Sequence, residues 1–138
     1  MTSDTTPSGV ASASNSMVAH PAYHAFDDSD TTYWGTNSVK GIQYIQYEFP
    51  KIVTVEKIEL IEPDCSGTQI TLESIEASTD GTTWQTIYNE KQVVSKSNAP
   101  TQTWFEFNKV KCNFIKMNLS RGSSYDNIYA TKFQCYGH

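Results

Sequence analysis

The chain has 138 residues, a length that suits one domain with a two-layer core. Ten Lys and Arg against 15 Asp and Glu leave a net charge of −5 with no basic run, which excludes the cationic clusters that nucleic-acid and anionic-membrane binders need. The apolar stretches are too short to span a bilayer, and no basic n-region followed by an apolar h-region opens the chain.

Residues 1–7, rich in Thr, Ser and Pro, are expected to be a flexible segment ahead of a single domain over residues 8–138. Met1 is either a native start or the cut edge of a longer protein. Residues 14–41 are polar or small and predict a long connection. Period-two patterning then takes over. In residues 42–49, Ile45, Tyr47 and Phe49 share one face and Gln46 and Glu48 the other, the mark of a half-buried strand. Residues 52–62 continue as a β-branched, apolar strand whose alternation changes phase near Glu56-Lys57, which predicts a bulge there. A second polar connection covers residues 63–72. Residues 73–79 and 84–88 flank Asp80-Gly81, whose tolerance of positive φ predicts a tight hairpin. Further strands are expected over 102–107, 113–119 and 129–136. Helical periodicity is not sustained over eleven residues anywhere, so the pattern predicts an all-β sandwich. Long polar connections in so small a domain point to a functional use.

Cys65, Cys112 and Cys135 are not spaced as a zinc site, and their odd number leaves at least one thiol free. They are either unpaired thiols without a role or one disulfide plus a leftover. No catalytic constellation is visible. His20, His24 and His138 are scattered, no phosphate loop occurs, and the clustered Asp27, Asp28 and Asp30 do not flank a cleft as glycosidase carboxylates do.

Five segments in order resemble the coagulation-factor type C (discoidin) domains, and most closely their bacterial relatives, the family 32 carbohydrate-binding modules. They are the opening Ala11-Ser12-Ala13-Ser14 together with Ala25-Phe26-Asp27 running on to Tyr33-Trp34, then Tyr44-Ile45-Gln46-Tyr47-Glu48-Phe49, Ser78-Thr79-Asp80-Gly81 with Trp84, Phe114-Ile115-Lys116-Met117, and Phe133-Gln134-Cys135-Tyr136-Gly137. The resemblance implies a jelly-roll β-sandwich of about eight mainly antiparallel strands, with a ligand site in loops at one end. It further implies a lectin-like, non-catalytic module of a larger protein, placed outside the cell or on a cell or virion surface. Its partner would be a glycan or cell-surface polysaccharide. A discoidin-type adhesion domain for protein or lipid, or a spacer with a decayed site, are the other readings.

The resemblance also implies a structural calcium site. Its ligands would be the carboxylate of Asp27, the hydroxyl and carbonyl of Thr32, the carbonyls of His24 and Ser29, and a pair from the last strand beginning at Thr131. At that pair the chain departs from the family, because an Ala-Glu is replaced by Thr131-Lys132. Either calcium binds with help from Asp28, or the Lys132 ammonium takes the place of the cation and neutralises Asp27. The third reading is a polar loop making turns and caps.

For the glycan, the family pattern selects loops 15–23, 35–41, 64–69 and 121–128. A sugar needs a ring for its C–H face and amides, carboxylates or Arg for its hydroxyls. Tyr125 is the expected platform, with Asn37, Asp64, Gln69, Arg121 and Asn127 around it. Trp34, Trp84 and Phe133 stand at positions that are core in the family, and Trp104 is expected to pack as well. Met17-Val18 is expected to pack under its loop.

Overall fold

The computed structural model describes residues 1, 3–4, 9–63, 70–94, 101–121 and 127–137. Among them run β1 (Val10–Ala13), β2 (Trp34–Gly35), β3 (Gln43–Glu62), β4 (Thr71–Ser78), β5 (Gln85–Tyr88), β6 (Gln92–Val93), β7 (Thr101–Ser120), β8 (Tyr129–Ala130) and β9 (Lys132–Tyr136). The helical content of the described residues is one 3-10 turn, η1 (Ala22–Ala25). The expected all-β jelly-roll architecture is the one observed, and every pairing is antiparallel.

Two 20-residue strands build both layers. The first part of β3, residues 43–48, lies between β1 and the end of β7, whose other neighbour is β4. Its last part, residues 57–61, lies between β9 and the start of β7. The ladder is interrupted between Glu48 and Val53, where the strands turn the corner. A second irregularity falls between Val55 and Lys57, at the predicted phase change. There two steps along β3 are opposed by four along β7, from Val110 to Glu106, and the inward set on β3 passes from Val55 to Ile58 and Leu60, so both halves keep apolar side chains inside. Trp34, Ile45, Leu72, Phe105, Met117 and Phe133 meet in the core, and the Tyr88 and Phe105 rings close the gap between layers at 5.2 Å.

Three expectations need correcting. Strands expected at 102–107 and 113–119 are one strand, because the polar stretch between them keeps pairing with residues 53–55. The Asp80-Gly81 hairpin is wider than a two-residue turn, with Ala77 opposite Gln85. Only Gly81 takes positive φ (79°), and a Cβ there would sit 3.0 Å from the Phe114 ring. The Asp80 carboxylate accepts the Thr82 and Thr83 N–H groups at 2.8 Å each, which holds it well below the usual carboxylate range. Trp84 is half-buried rather than core, with the Lys116 ammonium 3.9 Å over its ring.

At the other end of the chain, the Met1 amino group donates to the Phe26 carbonyl at 3.0 Å, and Asp4 accepts the Tyr23 N–H at 2.8 Å. Cys112 and Cys135 are free thiols, and Cys65 lies outside the described residues. Burial pushes Cys112 up to about 11 and raises Cys135 further, so neither thiol supplies much thiolate at neutral pH.

Candidate functional site

The short ladder of β2 and β8 gathers the loops at one end. Trp34 is fully buried, and its indole N–H donates to the Asn15 carbonyl (3.0 Å) and the Ser16 hydroxyl (3.1 Å). One side chain therefore plugs the core and fastens loop 15–23. That loop is tied to β2 again through Met17 N–H to the Gly35 carbonyl (2.7 Å) and Gly35 N–H to the His20 carbonyl (3.1 Å). Gly35 has to be small, since a Cβ there would meet the Met17 methyl at 2.8 Å.

Thr36, fully buried, joins the second and fourth loops. Its N–H donates to the Ile128 carbonyl and its hydroxyl accepts the Ile128 N–H, both at 2.9 Å. Asn127 donates its amide to the Thr36 carbonyl, and Asn37 donates its N–H to the Asn15 amide oxygen at 2.9 Å. Aromatic packing backs this end: His20 stacks on Tyr33 at 4.1 Å, and Tyr33 meets Tyr129 edge-on at 5.3 Å.

Of the glycan residues expected from sequence, the fold thus brings Asn37 and Asn127 together, with Asn37 exposed and Asn127 half-buried. Arg121 is only 2% exposed, its guanidinium 5.7 Å from the Tyr129 ring, so it stands behind the surface expected of it. Asp64, Gln69 and Tyr125 lie outside the described residues. β3 ends at Glu62 opposite Thr101 and β4 begins at Thr71 opposite Ser120, so of the flanks of 64–69 the Thr71 side lies beside the residue before Arg121. Met17 packs below its loop as expected, but Val18 is fully exposed.

In the second expected site, Asp27 accepts the Ser29 N–H (3.0 Å) and the Thr32 hydroxyl (2.6 Å). His24 Nδ1 lies 3.3 Å from the Tyr33 carbonyl, and Thr131 is buried with its N–H on the Ile61 carbonyl. Lys132 approaches Asp30 at 2.8 Å and Asp28 at 3.5 Å rather than Asp27. Donating to the Asp30 carboxylate raises the Lys132 ammonium above its ordinary range, keeping it charged. Asp28 is held in the left-handed region (φ 58°), and its carboxylate also accepts from the Gln134 amide at 3.3 Å. Calcium wants six to eight oxygens. Here an ammonium already lies against two of the carboxylates, and among the described residues no three His, Cys, Asp or Glu side chains gather to hold a metal. Asp27 itself lies apart from that ammonium, held by the Ser29 N–H and the Thr32 hydroxyl.

The chain belongs to the F5/8 type C domain family, which matches residues 10–131. No curated protein matches the sequence. Among solved structures, the fold is similar to CpGH89CBM32-5 of Clostridium perfringens, determined in complex with GalNAc-β-1,3-galactose, at 19% identity and TM-score 0.76, covering 94% of this chain and 95% of that one. It is also similar to the family 32 module of Clostridium perfringens NanJ in complex with galactose, at 21% identity and TM-score 0.72 over 94% and 93% of the two chains. A third similar fold is chitosan-binding module 1 of a Paenibacillus sp. IK-5 chitosanase/glucanase, at 22% identity and TM-score 0.71 over 98% and 99%. The domain thus has the fold of a carbohydrate-binding module. Among the described residues no helix is long and apolar enough to cross a membrane.

Proposed function

We propose that this domain is a non-catalytic carbohydrate-binding module that holds a parent protein, such as a glycan-active enzyme, an adhesin or a phage tail protein, at a glycan outside the cell or on a cell or virion surface. The observation that carries the reading is the fastening of separate loops at one end through Trp34 and Thr36. Rigid presentation of loop amides reduces the ordering cost of binding a small polar ligand. Tethering would raise the parent's local concentration at its substrate without new contacts.

Tyr125 remains the proposed stacking ring, with Asn37, Asn127, Asp64 and Gln69 for the hydroxyls and Arg121 as support from behind. A glycan array followed by calorimetry on the best hit tests this. A shallow site of this kind should bind at roughly micromolar to millimolar Kd, about −8 to −4 kcal/mol. Tyr125→Ala should remove detectable binding while the melting temperature stays put; unchanged binding would move the platform elsewhere.

The fully exposed Val18 favours a second reading, adhesion to a lipid or protein surface. A blank array with binding to liposomes would select it.

For the acidic loop, the proposal is that Lys132 supplies the positive charge and calcium is dispensable. The melting temperature should then be the same in chelator and in millimolar calcium, and Lys132→Ala should lower it. A large calcium-dependent rise in the wild-type protein would restore the metal, since a ligand of the native state stabilises it by linkage.

A further inference from the structure

The outward face of β9 and its partners carries two large rings that the loop site does not use. Period two puts Lys57 and Glu59 of β3, Gln102 and Trp104 of β7, and Gln134 and Tyr136 of β9 on this face, with Glu59 opposite Trp104 on one side and Gln134 on the other. Trp104, expected to pack, is instead 44% exposed, and Tyr136 is 39% exposed. Their ring centroids are 5.5 Å apart at a tilt of 47°.

The neighbours hold both rings in place. The Lys57 ammonium sits 4.8 Å from the Trp104 centroid and 5.6 Å from that of Tyr136. Glu59, 6% exposed, accepts from the Gln102 amide, and the Tyr136 hydroxyl lies 3.4 Å from its carboxylate while donating to Gln134 at 2.8 Å. Rings fixed in this way lose little entropy when they bind, which is the property of aromatic anchors in recognition surfaces. Beyond Tyr136 the surface continues into a cleft of about 470 Å³ lined by Phe26, Tyr47, Phe49 and Pro50 and by the Asp28–Lys132 ion pair.

We infer that this face is a second carbohydrate-binding surface, on which the C–H faces of a neutral polysaccharide stack on Trp104 and Tyr136 while Gln102 and Gln134 meet its hydroxyls. The inference rests on the reading of the domain as a glycan binder. A polysaccharide suits the face better than a single sugar, because the platform and the cleft together are longer than one ring. A neutral chain suits it because Lys57 and Lys132 offset Glu59 and Glu106, which the register puts on the same face. Exposed rings edged by planar amides match a pyranose, whose flat apolar faces are bordered by hydroxyls.

The test is affinity electrophoresis through a panel of neutral polysaccharides, beside calorimetry with the best short glycan from the array. Trp104→Ala should weaken polysaccharide retention about thirtyfold, the size of effect that marks a hot-spot aromatic, and leave the short-glycan affinity unchanged. Should that variant melt early, Gln102→Ala, at an exposed position, decides by the same loss of retention. Equal retention of wild type and variants would overturn the second surface and leave the glycan reading standing. No binding of the wild type to any glycan, long or short, would overturn both. A wild-type dimer in sedimentation that Trp104→Ala dissolves would overturn it in favour of self-association.

Discussion

Alanine at position 34 is expected to lower the unfolding free energy by about 3–5 kcal/mol, the usual loss for removing a buried large aromatic. Total stability for a domain of this size is roughly 5–15 kcal/mol, so the variant should sit near the edge of folding. The reason is double. Trp34 is fully buried in the core, and its indole N–H holds Asn15 and Ser16. Trp34→Phe keeps most of the volume and loses the N–H, so it should retain most stability yet loosen loop 15–23. Urea titrations of both variants give the first result, and calorimetry with the array's best glycan gives the second. A loss under about 1 kcal/mol for Trp34→Ala would mean that the site collapses around the deletion and that Trp34 does not organise it.

Thr36→Val should cost about 1–3 kcal/mol, although it replaces a side chain by one of the same shape. The hydroxyl of Thr36 is the acceptor for the buried Ile128 N–H, and a methyl leaves that donor unsatisfied. The same change unfastens loop 35–41 from the start of β8, so glycan affinity should fall with stability. Thr36→Ser keeps the acceptor and should be much milder. If Val and Ser behave alike in both denaturation and binding, the hydrogen bond is not what joins the loops.

Alternation along single strands was legible because it is a local property. Ile45, Tyr47 and Phe49 marked a face, and the change of phase at Glu56-Lys57 marked the bulge before any pairing was known. The two-layer class follows from such faces, since each apolar side needs another to cover it. The five family segments carried the rest of the fold, and the family match over residues 10–131 agrees with them.

What remained hidden depends on partners distant in sequence. The polar residues between Phe107 and Asn113 look like a turn, yet they stay in β7 because residues 53–55 of β3 supply their hydrogen bonds. Lys132 was legible as a cation near acidic residues, but its choice of Asp30 and Asp28 over Asp27 is set by where β9 runs past the loop. Arg121 reads as a surface residue, yet it is buried with its guanidinium near the Tyr129 ring. Trp104 reads as core because strand position alone does not say which face is inward. The sequence by itself determined which residues share a face; only the tertiary structure decided which face is covered, because coverage is a property of the other layer.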